Sequence, residues 1–141
     1  MTYGRMNAAH SLYRDTNIRG SVESADRHQL ISLLLDALVE RLNLARGQIQ
    51  HKNVAGKGES FSSAIAMVTE LRQSLDHSVD PALSGRLDSL YDYIARRLLH
   101  AQLTNDIGAL DECIALIAPV REAWHGIREA HLNGQTVRPS S

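Results

Sequence analysis

Apolar residues recur every three or four positions through four separate runs of this chain. No stretch alternates with the period of two that a half-buried strand requires. In the first run Ile31, Leu35, Leu38, Leu42, Ala45 and Ile49 form one seam, and Leu30 and Leu34 widen it as burial against two neighbours demands. The second run carries Phe61, Ala64, Val68, Leu71 and Leu75, broadened by Ile65 and Met67. Leu87, Leu90, Ile94, Leu98 and Ala101 make the third, and Leu110, Cys113, Ile117, Val120, Trp124 and Ile127 the fourth. Helices of about 20 residues are ~30 Å long, and short links between them favour antiparallel packing. The expected fold is all-α: an antiparallel up-and-down four-helix bundle with an N-terminal arm or short helix.

Boundary residues divide the chain further. Asp26 followed by Gln29 has the spacing of a capping box and predicts the start of the first helix. His51, Lys52 and Asn53 suit its C-terminus, and Gly56-Lys57-Gly58 reads as a flexible turn before a second helix from about Glu59 to His77. Asp80 and Pro81 have the chemistry of a cap and a first helical position, opening a third helix that runs to about Thr104. Asp106 is placed to cap the fourth, where Pro119 removes the amide bond to the Ala115 carbonyl and predicts a kink. Residues 1–24 lack sustained periodicity and are expected to form the arm, residues 25–132 the bundle and residues 133–141 a polar, frayed tail.

Composition narrows the function. Hydrophobic residues make up 43% and aromatic ones 4%, so the core has to be built from Leu, Ile, Val and Ala. A net charge of −1, with no basic run of five, argues against nucleic acid as a partner. No window of 18 apolar residues exists to insert in a membrane, and the N-terminus lacks a secretory h-region, so the expected compartment is the cytoplasm. Cys113 is the only cysteine, which excludes an intramolecular disulfide and a multi-thiolate metal site. Its place on the fourth seam predicts a buried, inert thiol.

Chemistry-bearing candidates are few. Glu122 and His125 match E-x-x-H, but a di-iron bundle needs a second such pair and two more inward glutamates. Trp124 occupies the seam and places Glu122 and His125 largely off the core. The 7 histidines scatter without a convergent pair, and surface positions account for them better than zinc does. Gly56-Lys57-Gly58 lacks the upstream glycine and following Ser or Thr of a phosphate loop. Asp88, Asp92 and Arg96 stand four apart and read as a surface ion-pair ladder. No catalytic, cofactor-binding or metal-binding residue is expected.

The segment Leu87 to Asp106 remains. Tyr91 borders its apolar stripe while Tyr93 points away, and the arginine pair Arg96–Arg97 follows. Core-edge packing accounts for one such tyrosine; two beside an arginine pair also suit a peptide-binding groove. Both readings stand on the residues alone.

The same segment resembles the helix L-Y-D-Y-x-x-x-R-L-x-x-A-x-x-x-N-D of the flagellar secretion chaperone family FliS. The matching residues are Leu90, Tyr91, Asp92, Tyr93, Arg97, Leu98, Ala101, Asn105 and Asp106. Ala25 to Ile31, Glu70-Leu71 with Leu75-Asp76, and Arg121 to Trp124 are similar to further family stretches in the same order. Leu35 departs from the aromatic usual there, and Asp26-Arg27 from a Ser-Pro pair. The resemblance implies a non-enzymatic cytosolic export chaperone. It would bind the disordered C-terminal segment of flagellin, prevent premature polymerisation and assist delivery to the type III export gate. It also makes Tyr13, Ile18, Leu34, Leu38, Tyr91, Tyr93, Ile94 and Arg97 the expected client contacts, with Tyr13 and Ile18 covering an empty groove. A co-chaperone or an anti-sigma factor is a compatible further partner. The alternative is a structural or oligomerisation bundle without a flagellin client.

Overall fold

A computed structural model describes residues 23–132 as four α-helices. These are α1 (Glu23–Gln50), α2 (Val54–Gln73), α3 (Pro81–Thr104) and α4 (Ile107–Leu132). Among the described residues α1 packs on α2 and α4, α3 packs on the same two, and the diagonal pairs do not pack. With short connectors, that pattern is the antiparallel bundle the four seams predict.

The seams meet in one core. Leu35, Leu38 and Leu42 of α1, Phe61 and Val68 of α2, Ile94 and Leu98 of α3, and Leu110 and Ile117 of α4 are fully enclosed. Enclosing one such leucine or isoleucine stabilises the fold by roughly 1.5–3 kcal/mol. Cys113 is buried beside them, and burial pushes its thiol up to about 12, so it stays protonated and inert. The fourth seam ends earlier than its spacing implies. Trp124 packs on the core, whereas Ile127, one turn further, is exposed.

Two connectors obey their cap residues. Asp80 Oδ1 accepts from Leu83 N at 3.1 Å with Pro81 opening α3, and Asp106 Oδ1 accepts from Ala109 N at 3.0 Å at the start of α4. Three expected boundaries are corrected. The chain is already helical at Glu23, so Asp26 lies inside α1. The seam marks which face is buried but does not mark where a polar first turn begins. The rest of the expected arm and the tail from residue 133 lie outside the described residues.

Gly56, Lys57 and Gly58 are helical, not a turn. The reversal comes earlier, at Lys52 with φ 58°, where Asn53 N donates to Gln48 O at 2.9 Å and Lys52 N to Ile49 O at 3.2 Å. This is the hydrogen-bond pattern of a Schellman motif. Asn53 then caps α2, its Oδ1 accepting from Gly56 N at 3.0 Å. At the other end α2 stops at Gln73, short of His77. Asp76 Oδ1 takes Ser78 N at 3.0 Å, a local turn that competes with the helix, and Arg27 Nη2 of α1 takes the Ser74 carbonyl at 2.9 Å. α4 continues through Pro119, which is exposed, as is Ala115, whose carbonyl it cannot bond.

Candidate functional site

At one end of the bundle the start of α1, the end of α2, the α2–α3 connector, the first half of α3 and the second half of α4 converge on a cavity. Its volume is ≈ 400 Å³. Ile31, Leu71, Leu75, Leu87, Val120 and Trp124 give it apolar walls, with Val79 and Leu83 lining it from exposed positions. Arg27, Asp76 and Asp80 add charge to the lining.

Local contacts fix these walls. Trp124 Nε1 donates to the His28 carbonyl at 3.1 Å, and its ring stacks on the His28 ring with centroids 4.4 Å apart. That double contact ties the far half of α4 to the first turns of α1. Ser84, buried beneath the connector, lies 2.8 Å from His77 Nδ1. Tyr91 also lines the cavity; burial pushes its phenol up to about 12 and keeps it neutral. Apolar side chains make up most of this lining. What it can do is take apolar side chains out of water.

Of the eight residues expected to contact a client, the six described ones do not form one surface. Leu34, Leu38 and Ile94 are interior, Leu38 and Ile94 completely so, because α1 and α3 each face two neighbours and spend the full width of their apolar stripes on them. That places three expected contacts in the core. Tyr91, expected at the border of the stripe, is only 3% exposed and reaches an outside molecule through the cavity alone. Tyr93 and Arg97 stay half-exposed at the α3–α4 edge. Tyr93 Oη donates to Glu112 Oε2 at 2.6 Å and Arg97 Nε to Glu112 Oε1 at 3.0 Å. Tyr13 and Ile18 lie outside the described residues. Sequence reasoning missed Leu71, Leu75, Leu83, Leu87 and Val120 as cavity residues. The available signal, for all but mid-helix Val120, was a place near a helix end or a connector, where a seam has fewer neighbours to fill it.

The polar clusters are structural. Asp36 Oδ1 accepts from Arg121 Nε at 2.7 Å and lies 2.7 Å from His125 Nε2, while His125 Nδ1 is 3.4 Å from Ser32 Oγ. Serine, histidine and aspartate thus stand in relay order. Ser32 is nonetheless buried between α1 and α4, and Arg121 shares the aspartate, so the group clamps two helices. His125 of the E-x-x-H match is spent here and His28 stacks on Trp124, so both make helix–helix contacts although the His125 side chain stays 39% exposed. Among the described residues no group of His, Cys, Asp and Glu is arranged to hold a metal. The ladder on α3 gains a member from α2: Arg72 pairs with Asp88 at 2.9 Å and Asp92 at 3.2 Å, and Arg96 with Asp92 at 3.1 Å. No described helix is long and apolar enough to cross a membrane.

Comparison with known proteins places this geometry. Residues 7–131 match the family model described as flagellar protein FliS. The chain is 38% identical over 115 residues to the flagellar secretion chaperone FliSB of Pseudomonas aeruginosa, covering 82% of this chain and 91% of that one. It is 37% identical over 116 residues to the flagellar secretion chaperone FliS of Salmonella typhimurium, covering 82% and 86%. With the flagellar secretion chaperone FliS of Bacillus subtilis it shares 29% over 106 residues, covering 75% and 78%.

Proposed function

The chain belongs to the FliS family of flagellar secretion chaperones, and on that premise we propose that it holds the C-terminal segment of flagellin in the cytoplasm until export. It is not an enzyme. The observation that carries the reading is the family match across residues 7–131, which spans all but the last residue of the bundle and every wall of the end cavity. A segment of a polymerising subunit that is disordered when free needs apolar surface on which to fold. The cavity supplies it ready-made. Its ≈ 400 Å³ lies in the range of about 300–1,000 Å³ common for binding pockets, enough for a few side chains and too little for a helix. The client therefore lies as an amphipathic helix along the outside and inserts its apolar face into the opening, the helix-in-groove mode.

Occupying that face of flagellin keeps it from other flagellin subunits. Each fully buried leucine-sized anchor is worth roughly 1.5–3 kcal/mol, against which the client's ordering has to be set. No cofactor or nucleotide enters the cycle, so release comes from competition at the export gate or from unfolding of the client. Tyr13 and Ile18 of the N-terminal arm belong to the same proposal as groups the client displaces. So does delivery to the gate, with a co-chaperone or an anti-sigma factor as further partner.

Seeded filament growth tests the reading. Flagellin monomer elongating on filament fragments should stop growing when this protein is added at equal molar ratio. Growth should resume when excess C-terminal flagellin peptide is supplied. Unchanged elongation with the folded protein present would contradict it.

A further inference from the structure

Glu112 of α4 takes two side chains of α3 at once, one on each oxygen: Tyr93 Oη at 2.6 Å and Arg97 Nε at 3.0 Å. Tyr93 and Arg97 are one helical turn apart and so share a side of α3. The Tyr93 ring is also met on its face, with the Arg96 guanidinium 5.8 Å from its centroid. Arg96 is held in turn by Asp92, and Asp92 by Arg72 of α2. A chain of polar contacts therefore crosses the outside of α3 from α2 to α4 with Tyr93 inside it. A half-exposed tyrosine ordinarily samples several rotamers. This one is pinned at both hydroxyl and ring.

We infer that Glu112 is a positioning residue for client binding: it presets Tyr93 and Arg97 as a fixed pair on which an amphipathic segment lying along α3 docks. The inference rests on the chaperone reading above. Tyrosine offers a large contact area, and a side chain already immobilised loses little further freedom at an interface. Among the described residues Arg97 engages Glu112 through Nε, which leaves its terminal nitrogens for carbonyls or a carboxylate of the client. A purely structural role is the competing account. Glu112 and Arg97 have side chains 39% and 32% exposed, and ion pairs at such exposure add little to stability. Removing Glu112 therefore separates the two roles without unfolding the bundle.

The experiment measures anisotropy of a labelled flagellin C-terminal peptide titrated with wild type, Glu112→Gln, Glu112→Ala, Tyr93→Phe and the Tyr93→Phe/Glu112→Ala double variant. Glu112→Ala should weaken binding about tenfold, because Tyr93 and Arg97 then have to be ordered on docking. Glu112→Gln retains an oxygen for the Tyr93 hydroxyl and should weaken it less. The double variant should bind no more weakly than the poorer single one, since both changes remove the same contact. Thermal unfolding of all four variants should match wild type. Wild-type affinity in Glu112→Ala, or a weakening that follows an equal loss of thermal stability, overturns the inference and leaves the chaperone reading in place. Failure of the wild type to bind overturns both.

Discussion

At the α1–α4 interface Asp36 takes Arg121 and His125 on the same carboxylate oxygen. Burial alone would push this carboxyl up; the hydrogen bonds and charges of its two partners outweigh burial and hold it below its ordinary value of 3.8. A carboxyl depressed in the folded state contributes stability that is present above 3.8 and lost as pH falls through its lower, folded value. Asp36→Asn should therefore lower the thermal midpoint at neutral pH and flatten its fall in acid. Melting curves across the acid range check this; an acid limb as steep as wild type would remove Asp36 from it. The interface also shows where residue-level reading stopped. His125 looked like a surface group because Trp124 holds the seam, yet both reach α1 from adjacent positions of one helix turn. Tyr91 and Tyr93 divide for a related reason. Helical spacing locates a stripe's centre, but its width depends on how many neighbours the helix meets, and α3 meets two.

The elements themselves were legible. All four seams came from spacing, and Asp80, Pro81 and Asp106 marked connectors correctly because capping is local chemistry. The first connector was misplaced by three to six residues, since the reversal is made at Lys52 and Asn53. Two glycines around a lysine suggest a turn, but Lys57 Nζ donates to Gln102 O at 3.1 Å and Asn105 Oδ1 at 2.7 Å, anchoring the start of α2 to the end of α3. The glycines are not equivalent. A Cβ on Gly56 would come within 2.6 Å of the Asn53 and Gln48 side chains, disturbing the cap, whereas Gly58 has open space around it. Gly58→Ala should stabilise the protein by about 0.5–1 kcal/mol through helix propensity. Gly56→Ala should give less than that or destabilise. Paired denaturant titrations decide, and equal gains at both positions would contradict the account of the Asn53 cap.

For the molecule as a whole, four seams and a short polar vocabulary suffice to specify a closed square of helices, and the sequence resemblance pointed to its family. The cavity end was not legible. Its walls come from positions as far apart as Ile31 and Trp124 and exist only after the helices are aligned in register. The central claim is that this end receives the flagellin C-terminal segment. Titration calorimetry of that peptide against wild type and Leu83→Arg tests it most directly, because Leu83 lines the cavity yet is 45% exposed and tolerates a charge without loss of core. The account predicts a one-to-one complex with favourable enthalpy and a negative heat-capacity change for wild type. It predicts binding weakened by about tenfold or more in Leu83→Arg, the cost of losing an apolar anchor of roughly 1.5–3 kcal/mol. Equal affinity in the two proteins would contradict it by placing the client elsewhere on the bundle.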